Sequence, residues 1–349
     1  MIIARTLLAK LRPHRASTRE LQEQNDLARA VVLTGAFDAS SNERNFDRSL
    51  LQKEVEALSA KDLKVRVQSA INRQVVNYFD IVHRDTLEMN AQPCKYPQRP
   101  TPVGDPNDYG SLLVPNFGTE ALHDEVDRNM RERIRAELGY CPVVRESTLP
   151  SAGLGLFVEG AAPEGALVAI YPGLVHLPEN LCQEEYRSKL LPDEDFFLMA
   201  RSDGCVVDAR SSPGLPSSPL TVAQSANHPP GGTAANVLQS SYDFPSMTNG
   251  GVWGHGGGSF PEHLRPLIPN RLYNVAPRLF GGKIDRWALV ETVVLLAARD
   301  IQDEEVFMNY RFNPAMPAPA WYIPVDGDEA RRRWTEEEVG VLESLLRRD

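Results

Sequence analysis

The stretch Gln224-Ser225-Ala226-Asn227-His228 decides how the rest of the chain is interpreted. A Pro-Pro-Gly-Gly run, residues 229–232, follows it, and a second asparagine stands at Asn236. Such a segment is a poor helix and an interrupted strand, so its bent backbone carries polar groups that need partners. Because Asn and His also cap ordinary turns, the pair alone does not mark a ligand site. The segment favours the wall of a pocket if other segments complete it.

Two other parts of the chain complete such a pattern. Upstream stands Ser151-Ala152-Gly153-Leu154-Gly155-Leu156-Phe157, followed by Ile170-Tyr171-Pro172-Gly173. Downstream, the apolar run 288–298 leads to an acidic and aromatic segment, 303–310. Three segments in this order resemble the SET domain, the protein lysine methyltransferase family that uses S-adenosylmethionine. Within that family the sequence is most similar to the group called SET domain-containing protein nine, and the resemblance covers residues 145 to 313.

The resemblance assigns candidate roles to particular residues. The side chain of Asn227 would hold the amino-acid end of the cofactor, S-adenosylmethionine, and the backbone of His228 would meet its adenine. A glycine lets the backbone approach a ligand closely because it has no Cβ. Glu304 and Glu305 are expected to fix a turn rather than to take part in chemistry. The cofactor-binding candidates are Gly153, Leu154, Gly155, Asn227, His228 and Asn236.

The chemistry of methyl transfer points to two tyrosines. Transfer from a sulfonium to a lysine amine is a direct displacement, so the catalyst needs alignment more than a nucleophile of its own. The amine must arrive neutral although its ordinary pKa is about 10.4, which calls for a dry, narrow channel. Aromatic walls give that shape and tolerate a cation. By the resemblance, Tyr310 directs its hydroxyl at the reacting centre, and Tyr171 forms a channel wall.

The sequence also departs from the family pattern. The run 229–232 replaces the Ser and Cys that the family usually places after the Asn-His pair, and Asn236 lies farther along the chain than usual. Asp303 stands where the family has Gly, and the C-terminal cysteines of a zinc-bound lid are missing. These departures motivate an alternative in which the chain is a catalytically inactive SET-fold module that binds or scaffolds.

Motif spacing, cysteine content and net charge argue against several other classes of protein. The pair Gly153 and Gly155 does not begin a dinucleotide loop, because the third glycine of that fingerprint would fall at Val158. The four cysteines are widely spaced, so we expect neither a zinc site nor a disulfide framework. A net charge of -10 disfavours direct nucleic-acid binding. By the resemblance, the expected partner is a protein or peptide bearing a lysine, and the sequence leaves the oligomeric state open.

The sequence supports two predictions of the cellular compartment. Sparse cysteines fit a reducing intracellular compartment, the nucleus or the cytoplasm, and no apolar run has the length of a membrane span. The first nineteen residues, however, contain five basic side chains and no acid. That pattern resembles a mitochondrial transit peptide, and a basic helix packed on the body is the alternative.

The predicted fold class is α+β. Residues 1–140 form a helical N-terminal region with a Pro-rich linker near 92–116. By the resemblance, residues 141–313 are expected to form a mainly-β SET domain of the β-clip type, with small sheets, a threaded C-terminal segment and an insertion near 240–285. The apolar segment 287–298 should be a central strand. Residues 314–349 form a C-terminal segment that ends in a helix.

Overall fold

The computed structural model describes most of the chain. Three predicted features lie outside the described residues: the basic N-terminus, the Pro-rich linker and the final helix. The described residues are 18–41, 46–91, 120–181, 197–210, 218–245, 260–273, 279–280, 283–284, 290–314 and 318–333.

The N-terminal region is helical, as predicted. Its helices are α1 (Thr18–Ser41), α2 (Arg48–Glu56), α3 (Ala60–Ala91) and α4 (Glu120–Leu138). Apolar residues recur every four positions along α3, which places Leu63, Val67, Ile71 and Val75 on one buried face. Gly139 ends α4 in a left-handed conformation with φ of 85°. Within the described ranges, no helix combines the length and apolarity that a membrane span requires.

The remainder consists of short strands in small sheets. In chain order they are β1 (Tyr140–Glu146), β2 (Leu154–Ala162), β3 (Leu167–Ile170), β4 (Gly173–His176), β5 (Leu198–Ala200), β6 (Val206–Asp208), β7 (Val237–Phe244), β8 (Asn270–Leu272), β9 (Leu279–Phe280), β10 (Lys283–Ile284), β11 (Val290–Ala297) and β12 (Ile301–Gln302). Among the described residues there are also two short α-helices, α5 (Pro178–Leu181) and α6 (Gly327–Arg333), and two 3-10 helices, Ala223–Ser225 and Glu262–Leu267.

The strands pair mainly with antiparallel neighbours. The sheets have the orders β1-β2-β12, β3-β11-β7 and β5-β6-β4-β8, with β9 and β10 as a separate pair, and only β4 and β8 are parallel among these pairings. The strand predicted to be central is β11, which lies between β3 and β7. Its residues from Thr292 to Ala297 are all buried, as a strand covered on both faces requires. The fold is α+β, as predicted.

Helix α3 lies across the sheet β3-β11-β7 and binds both of its edges. The Gln68 amide donates to the carbonyl of Ser241 at 2.8 Å and accepts from the N–H of Asp243 at 2.9 Å on edge strand β7. Gln74 binds the other side, accepting from the N–H of Leu167 at 2.7 Å and donating to Gly165 at 3.0 Å. Gln68 and Gln74 are six residues apart, so they are separated by about 9 Å along the helix axis. This separation matches the distance between the two edge strands, which is two strand spacings. Each glutamine thus satisfies backbone groups as a neighbouring strand would.

The helices and the sheet also share one apolar core. Val67 and Ile71 of α3 belong to the same buried cluster as Leu238 and Leu296 of the sheet. The helical region before residue 140 therefore packs against the strand region after it, although the sequence predicted a boundary between two regions at this residue. The domain limits stay a prediction.

The chain after β12 threads between two other segments. The Val306 N–H donates to the Leu156 carbonyl at 2.7 Å on one side, and the Met308 N–H donates to the Asn227 carbonyl at 2.8 Å on the other. The Asn236 N–H donates to the carbonyl of Phe307 at 3.2 Å. This threading brings the three motif segments into contact.

Candidate active site

Glu305 lies at the centre of the joined segments. Its carboxylate accepts hydrogen bonds from the Ser147 hydroxyl at 2.6 Å, from the Thr148 N–H at 2.8 Å and from the Thr148 hydroxyl. The Asn227 amide nitrogen lies 3.2 Å from the same carboxylate, and Glu305 is only 4% exposed. Burial raises the pKa of this carboxyl, but the hydrogen bonds from Ser147 and Thr148 outweigh burial and hold the pKa below its ordinary value.

The two glycines of the first motif differ in their surroundings. A Cβ on Gly155 would stand 3.0 Å from Cδ of Glu305, closer still to one of its oxygens, and 3.2 Å from the Asn227 nitrogen. Gly155 is therefore required by the carboxylate packed against it. Gly153 is left-handed, with φ of 72° and open space where a Cβ would be. Leu154, between them, is 62% exposed.

The two asparagines make different sets of contacts. The Asn227 side chain is half-buried and uses its nitrogen, which lies 3.1 Å from the Ser147 hydroxyl and 3.0 Å from the Leu154 carbonyl. Asn236 is buried and uses both ends of its amide, donating to the Glu305 carbonyl at 2.8 Å and accepting from the Phe307 N–H at 2.7 Å. Asn236 therefore braces the threaded segment.

His228 is held as a neutral imidazole. Its Nδ1 accepts the N–H of Tyr310 at 3.3 Å, so Nε2 carries the proton and donates to the Ile323 carbonyl at 2.8 Å. Burial lowers the pKa of the imidazole, and backbone groups of Ile323 and Met308 offset part of this shift. The ring thus joins the threaded segment to the segment near Ile323.

The two predicted tyrosines lie close to this point. The Tyr310 hydroxyl donates to the Ala226 carbonyl at 3.1 Å. Burial raises the pKa of Tyr310 to about 12, and a backbone hydrogen bond from His228 offsets part of the effect. Burial also raises the pKa of Tyr171, and the charges of Tyr310 and Asp208 add to that rise. Both phenols are therefore protonated at neutral pH.

An aromatic cover packs against His228. His228 lies 4.5 Å from the ring of Tyr322, and Tyr310 lies 6.1 Å from that of Trp321. Trp321 is 56% exposed, so one face of the cover is open to solvent. We define the aromatic cover as Tyr310, Phe312, Trp321 and Tyr322.

The loop after His228 packs against the same segment. A Cβ on Gly231 would lie 2.7 Å from Cδ1 of Ile323, so the Pro-Pro-Gly-Gly run and Ile323 are in close contact. The aromatic cover and Ile323 thus pack against His228 and the loop that follows it.

Sequence reasoning missed several residues of this site. Ser147 and Thr148 stand just before the Gly-x-Gly motif, and the apolar triplet Trp321 to Ile323 interrupts a Pro-rich stretch. Those two patterns were the available signals. The structure brings together all the predicted site residues except that Leu154 points to solvent and contributes its backbone.

A separate cluster has the spacing of a metal site. One ligand atom each of Asp203, Cys205 and Glu291 lies within 4.8 Å of the others. Asp203, however, binds the buried guanidinium of Arg201 at 2.7 Å, and the Cys205 thiol donates to Glu291 at 2.9 Å. These contacts form an internal network with Arg201 as its cation.

Two solved structures show weak similarity to this chain. Crystalline CpSET8 from Cryptosporidium gives a TM-score of 0.28 at 11% identity, over 69% of this chain and 97% of that one. The ctPRC2 structure, in an autoinhibited conformation bound to S-adenosylmethionine, gives a TM-score of 0.27 at 16% identity, over 51% of this chain and 16% of that one. At these TM-scores neither carries an argument about individual residues.

Curated relatives define the family. No family model matches the chain. SET domain-containing protein 9 of Pongo abelii is 30% identical over 233 residues, covering 57% of this chain and 75% of that protein. The Homo sapiens protein of the same name has the same identity and length of match, covering 57% of this chain and 69% of its own. With the three motif segments joined at one site, the chain belongs to the SET domain family, in the group of SET domain-containing protein 9.

Proposed function

We propose that the protein is a protein-lysine methyltransferase that uses S-adenosylmethionine. The SET family generally consists of lysine methyltransferases. The observation that carries the proposal is that Asn227 meets the threaded segment, which carries Glu305 and Tyr310 and is far from Asn227 in sequence.

The residues present fit the cofactor. Gly153 offers left-handed backbone beside open space, which allows a ligand to approach the main chain. The contacts of Asn227 use its amide nitrogen, and we assign its carbonyl oxygen as the acceptor for the cofactor's ammonium. The cofactor supplies a methyl group on a sulfonium, which a nucleophile displaces. The aromatic cover would shield that position from water.

The chain's own residues align the reactants and exclude water. Because its pKa is about 12, Tyr310 acts as a neutral hydrogen-bonding group rather than as a base. Its proton points to the Ala226 carbonyl and the His228 backbone donates to its oxygen, which leaves one lone pair of the oxygen for the reacting centre. Tyr171 is 3% exposed and forms the wall behind it. The substrate lysine must therefore lose its proton to solvent before transfer.

The substrate proposal rests on the family and on the chemistry of the two phenols. A long, unbranched amine can enter a channel between phenol rings, whose faces also tolerate its charged form. We infer a protein or peptide lysine as the acceptor, in an intracellular compartment.

A methyl-transfer assay tests the proposal. Labelled S-adenosylmethionine and a lysine peptide array are incubated with wild type, Tyr310→Phe and Tyr140→Phe. Tyr140 is the matched control because it is also a buried phenol that donates to a backbone carbonyl, that of Leu167 at 2.7 Å. We expect loss of transfer of about a hundredfold in Tyr310→Phe alone. If both variants transfer methyl groups equally well, Tyr310 does not have the proposed role. If wild type labels no lysine, the proposed reaction is refuted.

The alternative is a catalytically inactive SET-fold module that binds or scaffolds. The close packing of Ile323 on Gly231 favours it, because a segment fixed against His228 in this way would keep the cofactor out. Under this alternative the protein neither binds S-adenosylmethionine nor transfers methyl groups.

A further inference from the structure

Four charged side chains join the first helix to the end of the threaded segment. The Asp26 carboxylate of α1 binds Arg311 at 3.0 Å through one oxygen and Arg333 at 2.9 Å through the other. Glu329 of α6 binds Arg333 at 2.7 Å and lies 3.7 Å from Nε of Arg311. We call Asp26, Arg311, Glu329 and Arg333 the charge cluster.

The charge cluster is largely shielded from solvent. The side chains of Arg311 and Arg333 are 19% and 10% exposed, and those of Asp26 and Glu329 are 23% and 21% exposed. Two acids and two arginines balance in charge and alternate in space. Ion pairs sheltered in this way are screened less by salt than ordinary surface pairs. The cluster therefore fixes its members in place more firmly than an exposed pair would.

Arg311 directly follows Tyr310 and has an unusual backbone. Its φ is 54°, a left-handed conformation that L residues other than Gly, Asn and Asp rarely adopt. The Asn309 side chain accepts its N–H at 3.1 Å, and the next N–H, that of Phe312, donates to the Tyr322 hydroxyl at 3.1 Å. This turn directs the Arg311 guanidinium toward α1 while the Tyr310 ring faces Ala226.

We propose that Asp26 is a positioning residue for Tyr310, acting through Arg311. Asp26 holds the guanidinium, the guanidinium holds the left-handed turn, and the turn sets the direction of the phenol. Helix α1 would then be part of the catalytic apparatus although it touches no reactant. The proposal rests on the proposed function for its kinetic readout.

The experiment compares two isosteric changes on the same helix. Asp26→Asn removes the charge from the cluster, whereas Asp38→Asn removes it from the pair that Asp38 makes with Arg73 of α3. Cofactor dissociation constant, turnover at saturating cofactor and thermal midpoint are measured for both. We expect turnover to fall about tenfold in Asp26→Asn with cofactor affinity unchanged, and to be unchanged in Asp38→Asn. Asp26→Glu should restore part of the loss.

Equal turnover in the two Asn variants overturns the proposal. If Asp26→Asn does not fold, Arg311→Lys takes its place, since it keeps the charge but loses the guanidinium fork. Turnover of Arg311→Lys at the wild-type level then overturns the proposal.

A spectroscopic readout separates this proposal from the proposed function. The protein is labelled with carbon-13 tyrosine, and the Tyr310 signal is assigned by its loss in Tyr310→Phe. We expect that signal to shift in Asp26→Asn and to stay in place in Asp38→Asn, whether or not wild type transfers methyl groups. A Tyr310 signal unmoved by Asp26→Asn refutes positioning, whereas a shifted signal in a protein without transfer refutes only the enzyme.

Discussion

The Glu305 carboxylate fills the space in which a Cβ of Gly155 would stand. Position 155 must therefore be glycine for the carboxylate to occupy this place, although the two residues are distant in sequence. Asn227 lies against both, with its amide nitrogen 3.2 Å from the carboxylate. The buried acid therefore organises the pocket wall.

Removing the Glu305 charge should destabilise the protein. Glu305→Gln weakens the charge-assisted bonds from Ser147 and Thr148, and we expect the free energy of unfolding in urea to fall by about 2 kcal/mol. Because the folded pKa is lowered, this stability is present above the unfolded pKa of about 4.3 and is lost as pH falls through the folded value. Glu304→Gln is the control, since that side chain is 37% exposed, and it should change stability by under about 0.5 kcal/mol. Equal effects would contradict the central place of Glu305.

A methyl group at Gly155 should be harmful. Gly155→Ala drives a Cβ into the Glu305 carboxylate, and we expect a loss of about 1 to 3 kcal/mol in the free energy of unfolding, together with weaker cofactor binding. Gly232→Ala is the comparison, because Gly232 is left-handed with open space around it and suffers backbone strain alone, about 1 kcal/mol. Cofactor affinity that is unchanged in Gly155→Ala would show that the collision lies away from the binding site.

How far the sequence could predict this site depends on the range of each interaction. Helix α3 and strand β11 follow from local apolar spacing, so their existence and the central place of β11 were predictable. Glu304 and Glu305 look alike in sequence, yet Glu304 pairs with Arg299 at 2.9 Å near the surface and Glu305 is buried. Only packing against Ser147, far away in the chain, distinguishes the two acids.

The pH dependence of stability should report His228. Its buried imidazole has a lowered pKa and must stay neutral to accept the Tyr310 N–H. The unfolded chain therefore gains a proton first, so stability is full above the unfolded pKa of about 6.5 and is lost as pH falls toward the lower folded value. Urea unfolding between about pH 8 and pH 5 should show a shallower slope in His228→Asn than in wild type. His176, whose pKa burial lowers to about 4, contributes to the remaining slope. Identical slopes in variant and wild type would refute the neutral imidazole.

The contact of α3 with the sheet edge should be worth a measurable free energy. Gln74→Leu leaves the Leu167 N–H and the Gly165 carbonyl without their partner, and we expect unfolding to become easier by about 1 to 3 kcal/mol. Gln52→Leu, at an exposed position on α2, is the matched control and should change little. Thermal unfolding of both variants measures the difference. If Gln74→Leu loses no more stability than Gln52→Leu, water must replace the hydrogen bonds of the Gln74 amide.

The central claim is that the joined segments form a site for S-adenosylmethionine. Calorimetric titration of the purified, folded protein with S-adenosylmethionine tests it most directly, with Tyr310→Phe titrated in parallel. We expect saturable binding of one cofactor per chain, retained in Tyr310→Phe and weakened in Asn227→Ala. Absence of binding to folded wild type would contradict the enzyme and leave the scaffold alternative standing.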